Sequence, residues 1–118
     1  MRIREYWDPL LEENGVRVVF ENHDHRYKRT PPIRNLEIAD NGSVYFGDGG
    51  WGVNMHSEGS NEDEWFIKEF ERDRHAIFVT IHGPHQYYLV VSKDGEIIDD
   101  YPEMGAWGCH LPELAVAF

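Results

Sequence analysis

The residues best equipped for chemistry are seven histidines and a single cysteine, Cys109, in a chain of 118 residues. His23-Asp24-His25 puts two imidazoles on one face wherever that segment is extended, because side chains alternate along a strand. His82-Gly83-Pro84-His85 brackets a tight loop that can bring its two rings together, and Cys109-His110 adds a thiol and a further ring. Zinc and iron sites need three or four such groups within bonding reach. These spacings fit no closed framework. A zinc ribbon needs four thiolates or imidazoles in paired spacing. A double-stranded barrel oxygenase needs a carboxylate a few residues beyond its H-x-H, and Arg26 to Asn35 contains none. The expectation is that no metal or cofactor is needed and that His23, His25, His82, His85 and His110 are loop and surface groups. A small histidine-dependent metal-binding protein or metalloenzyme is the alternative reading.

Other constellations carry less. Cys109 beside His110 has the composition of an activated thiolate and its base. Adjacent side chains rarely face each other, however, and free cysteines are commonly just buried. Gly47 to Gly52 (GDGGWG) has the glycines of a phosphate-cradling loop, but not the lysine or the following helix. It reads as a bulged turn beside Trp51. No catalytic residue is therefore assigned. The stretch Arg26-Tyr27-Lys28-Arg29 could meet nucleic acid through phosphates and stacking. Against the charge of the whole chain it is expected to dock on an acidic patch of its own fold, or of a second copy.

That charge is the more informative quantity. There are 22 Asp and Glu against 11 Lys and Arg, a formal −11. Such a chain repels nucleic-acid phosphates and anionic lipid headgroups at long range and attracts a basic partner. The distribution is uneven, with six acids and no Lys or Arg between Asp94 and Phe118. The pair Asp99-Asp100 stands out there. In a hairpin register these residues fall opposite Val90 and Leu89, on opposite faces of an apolar ribbon. Unpaired burial of both carboxylates is costly, so the strand is expected to leave the ladder at that point.

The apolar pattern supplies the elements that must hold these groups. Ile3, Tyr6, Trp7, Leu10 and Leu11 have the spacing of one helical face, interrupted by Pro9 and ended by Asn14-Gly15. Val16 to Glu21 reads as a strand. Ile33 to Asp40 and Ser43 to Phe46 read as two strands joined by an Asn41-Gly42 hairpin turn, and Trp51 to His56 as another strand. Ser60 or Asn61 caps a second helix, with Glu62, Asp63 and Glu64 in its first turn and Trp65, Phe66 and Phe70 on its apolar face. Ala76 to Ile81, Gln86 to Ser92 and Glu96 to Asp99 read as three strands, the last two joined by Lys93-Asp94-Gly95-Glu96. Ile77, Val79, Ile81, Tyr88 and Val90 then share one face, and Phe78, Tyr87, Leu89 and Val91 the other. With both faces apolar, this ribbon is expected to be covered on both sides. Pro112 to Phe118 reads as a short helix or a final strand.

The sequence thus predicts one α+β domain over residues 1–118, with a mostly antiparallel sheet of five or six strands and two helices. No apolar run approaches the about 20 residues that span a bilayer, and Met1 to Leu11 lacks the apolar segment of a secretory signal. One cysteine excludes an internal disulfide framework, and together these features point to the cytoplasm. The expected function is non-catalytic: stoichiometric binding and inhibition of a basic, nucleic-acid-binding protein surface. In physical type this is the way of immunity proteins that neutralise toxins and of phage proteins that blunt host defences. Direct nucleic-acid and membrane partners are not expected, and a homodimer is open. The expected contact residues are Asp99, Asp100, Tyr101, Glu103 and Trp107, which set two aromatics beside carboxylates.

Overall fold

A computed structural model describes residues 3–54 and 64–102. Its first element is a helix, α1 (Ile3–Glu13), which continues through Pro9. Gly15 ends it at φ 66, with Val16 N–H donating to Leu11 C=O at 3.0 Å and Gly15 N–H to Glu12 C=O at 3.3 Å. These two bonds make a Schellman cap, and the left-handed turn they require is what glycine supplies. The docked face of α1 is not the expected apolar one. Tyr6, Trp7 and Leu10 are exposed. Asp8 and Glu12 instead hold the helix: Tyr45 O–H donates to Asp8 Oδ1 at 3.2 Å, and Asn35 N–H to Glu12 Oε1 at 2.9 Å.

The chain divides into two compact units, Met1–Arg74 and His75–Phe118. In the first, β1 (Val18–Glu21), β2 (Tyr27–Arg29), β5 (Val44–Asp48) and β6 (Glu69–Glu71) form a sheet in the order β1-β5-β2-β6. β1 and β5 run parallel, from Val18 opposite Val44 to Glu21 opposite Gly47, while β2 is antiparallel to both of its neighbours. Tyr27, Val44 and Phe46 are fully buried in this sheet, and Phe46 has the Phe20 ring stacked at 5.6 Å and the Tyr27 ring at 6.4 Å. Such aromatic pairs add to area burial.

Two local expectations are corrected in this unit. Ile33 to Asp40 is not one strand but a small hairpin of β3 (Ile33–Arg34) and β4 (Glu37–Ile38). Its turn, Asn35-Leu36, has φ 52 and 63, the paired positive angles of a type I′ turn. The Asn41-Gly42 turn does form, Gly42 N–H donating to Ala39 C=O at 2.8 Å, but it returns only Ser43 to Ile33. From Val44 the chain joins β1, drawn there by Val44 N–H to Arg17 C=O at 2.9 Å and Ser43 O–H to Val16 C=O at 2.6 Å.

The second helix is the larger correction. Glu64 to Ile67 makes a turn, and the chain then enters β6, with Glu69, Phe70 and Glu71 opposite Arg29, Lys28 and Tyr27. The expected capping residues, Ser60 to Asp63, lie outside the described residues. Period-two alternation in Glu69-Phe70-Glu71 suits a strand, and there the Phe70 ring meets the guanidinium groups of Arg26 and Arg72, each 5.5 Å from its centroid. The fold is therefore mostly sheet. Among the described residues it has one helix and nine strands in three sheets, not two helices beside a single antiparallel sheet. Trp51 to Asn54 is likewise irregular rather than a strand.

The second unit holds β7 (His75–His82), β8 (His85–Ser92) and β9 (Ile97–Tyr101) as an antiparallel meander. The register pairs Ile77 with Val90, Val79 with Tyr88 and Phe78 with Leu89, the facial assignment read from the sequence. Gly95 at φ 86 and Ser92 N–H to Glu96 C=O at 2.8 Å close the expected Lys93–Glu96 turn. Expected elements beyond Pro102 lie outside the described residues.

Candidate interaction surface

Asp99 and Asp100 stay in the ladder, opposite Val90 and Leu89, with a bulge at Ile98 where the register shifts between Val90 and Val91. The expected departure of the strand does not occur. Asp99 is only 9% exposed, and its Oδ1 accepts the Asp100 N–H at 2.9 Å. Asp100 is half-buried and accepts from the Tyr87 hydroxyl at 3.5 Å. Burial, and then the Asp100 charge, hold the Tyr87 phenol above its ordinary range. Tyr101 is half-buried opposite Tyr88, with ring centroids 6.3 Å apart. These three residues lie together on one strand, and two of the side chains are committed to their own sheet. Glu103 and Trp107 lie outside the described residues.

The basic stretch turns inward. Arg26 is 4% exposed and its Nε lies 3.0 Å from Asp24 Oδ1. Lys28 Nζ sits between Glu21 at 3.0 Å and Asp24 at 3.1 Å. Arg29, 3% exposed, has Glu69 at 4.0 Å. Arg34 donates to the Glu12 carbonyl at 3.3 Å. All four of these cations are engaged by the fold, whereas Arg4, Arg17, Lys68, Arg72, Arg74 and Lys93 are exposed, as are Glu5, Glu13, Glu37, Asp40, Glu64, Glu71, Asp94 and Glu96. Because Arg26, Lys28 and Arg29 are paired with acids of the same fold, they leave the formal −11 of the chain unchanged.

The glycine-rich segment has a structural explanation. A Cβ on Gly49 would lie 2.1 Å from the Asp24 carbonyl oxygen, and one on Gly47 would lie 2.9 Å from Glu21 Oε1. These glycines let the chain pass against the charged loop, and no phosphate cradle is needed to account for them.

The histidines separate into different places. His23 is exposed, and His25 Nδ1 lies 2.8 Å from the Asn54 carbonyl. His82 and His85 are direct cross-strand partners at the tip of the β7–β8 hairpin, so their side chains share one face. Among the described residues no three metal-ligating side chains come together. His110 and Cys109 lie outside them.

Sequence reasoning missed an exposed apolar strand in the second unit. Phe78 and Val79, on opposite faces of β7, are 56% and 43% exposed, and Ile81 is 66% exposed. The expectation of a ribbon covered on both sides is corrected in part: Tyr88 and Val90 of β8 are buried, but Phe78, Val79 and Ile81 of β7 are not. A signal was available: from His75 to Ser92 there is no Asp, Glu, Lys or Arg.

Among described residues, no helix is long and apolar enough to cross a membrane. No family model and no curated protein matches the chain. Among solved structures, purple acid phosphatase PPD1 from yellow lupin (Lupinus luteus) seeds is similar, with a TM-score of 0.65 at 18% identity. The match covers 78% of this chain and 18% of that one, so this chain spans under a fifth of the phosphatase it resembles, and the likeness is one of fold.

Proposed function

We propose that this protein is a non-catalytic binding protein whose acidic surface occupies a basic surface on another protein. The observation that supports this most is the charge of the chain, 22 Asp and Glu against 11 Lys and Arg, with Arg26, Lys28, Arg29 and Arg34 engaged within the fold. An arrangement of this kind speeds encounter with a basic partner and disfavours acidic ones. The contact surface is drawn from the exposed acids rather than from Asp99, whose carboxylate turns back to its own strand. A basic patch that binds nucleic acid is the fitting target, because a surface built for phosphates also accepts carboxylates.

Competition tests the proposal. Purified basic nucleic-acid-binding domains, each loaded with labelled oligonucleotide, are titrated with the protein. Release of oligonucleotide from at least one domain, saturating at one protein per domain, is expected. Absence of release across the panel, or release without saturation, contradicts it.

A further inference from the structure

We infer that β7 is a self-association edge, pairing antiparallel with β7 of a second copy of this chain. The inference does not depend on the basic-partner reading, and the two respond oppositely to salt.

β7 occupies one end of its sheet, and no strand among the described residues pairs with its outer edge. Proteins protect such edges with charged residues, prolines or bulges, because an open row of N–H and C=O groups templates another strand. The opposite edge of this sheet is protected in that way: β9 has a bulge at Ile98, carries Asp99 and Asp100, and is followed by Pro102. β7 has none of these devices. It is eight residues long, regular in register, free of Asp, Glu, Lys, Arg and Pro, and exposes Phe78, Val79 and Ile81.

The character of the strand selects its occupant. A basic partner finds no carboxylate on this edge, and a charged strand placed against it would desolvate its charge without a counter-ion. A second β7 brings no charge and matching apolar side chains. Two-fold pairing is isologous, so one register satisfies both copies. Centred on Val79, it sets Val79 against its own counterpart, Ile77 opposite Ile81, and Phe78 opposite Thr80. The meander then becomes a six-stranded sheet. Each copy carries a formal −11, so the pairing forms against like-charge repulsion and tightens when salt screens it.

The experiment is sedimentation equilibrium of the full chain at low and high salt, followed by cross-linking in a Cys109→Ser background. Reversible association to twice the chain mass, stronger at high salt, is expected. Ile81→Lys enters a two-fold interface twice and should weaken association by about tenfold or more. Val79→Cys should give a covalent dimer on mild oxidation, whereas Ile97→Cys, exposed on the opposite edge strand, should not. Circular dichroism of each variant confirms folding. If Ile81→Lys fails to fold, the cysteine pair decides. A chain that stays monomeric at every salt concentration, or that cross-links equally through both cysteines, overturns the inference.

Discussion

Asp24→Asn tests whether the basic stretch is held inside the fold. The Asp24 carboxylate lies 3.0 Å from Arg26 Nε and 3.1 Å from Lys28 Nζ, and the amide keeps its shape while removing the charge. Arg26 is 4% exposed, so water cannot replace the lost partner. Removing one member of a buried pair costs about 3–5 kcal/mol. Asp24 keeps 25% of its side chain exposed, and the guanidinium also lies over Phe70, which places the loss near the lower end, about 3 kcal/mol. At roughly 4 °C per kcal/mol for a chain of this size, the melting temperature falls by about 12 °C. Urea unfolding followed by circular dichroism measures the loss directly. Adding Arg26→Met removes the buried guanidinium and recovers most of it. A loss within about 0.5 kcal/mol, the scale of an ordinary surface substitution, would refute the inward placement of these cations.

Leu36 sits at φ 63 in a type I′ turn whose second position suits glycine, so Leu36→Gly should stabilise the protein by about 1 kcal/mol in urea unfolding; destabilisation would contradict the turn geometry. Burial, and then Asp8, push the Tyr45 phenol up to about 12 from 10.0, so the native state keeps a proton that the unfolded chain releases. Stability from this group is complete below pH 10 and is lost as pH rises through about 12. Tyr45→Phe should therefore lose less stability than the parent across that window, and parallel alkaline profiles would contradict the assignment. Asp99→Asn exchanges a carboxylate that accepts a backbone N–H for a neutral acceptor, a loss of about 1 kcal/mol in thermal unfolding, with association to a basic protein unchanged. Slower association at unchanged stability would return Asp99 to the interface.

The legible parts of the fold were those in which local chemistry and pattern agreed. Lys93-Asp94-Gly95-Glu96 marked the turn between β8 and β9, and period-two apolar residues marked β7 and β8, whose pairing follows the expected faces. Asn14-Gly15 likewise marked the end of α1. Reading failed where tertiary partners decided. Trp65, Phe66 and Phe70 looked like a helical face, but Phe70 meets two guanidinium groups and Lys68 N–H donates to the Arg29 carbonyl at 2.7 Å. The parallel pairing of β1 with β5 leaves no local trace, because the residues it joins are 26 positions apart. The candidate site was half legible. The register of Asp99 and Asp100 was readable, but their burial was not, since Tyr87 and the Asp100 backbone satisfy them within the strand ladder.

The account rests on an acidic field that draws in a basic partner. Its most direct test is the association rate with an oligonucleotide-displaced basic domain, measured by stopped flow as ionic strength rises. The Debye length shrinks from about 10 Å at 0.1 M to about 3 Å at 1 M, so the rate should fall by about tenfold or more. A rate that stays flat or climbs with salt would contradict the account.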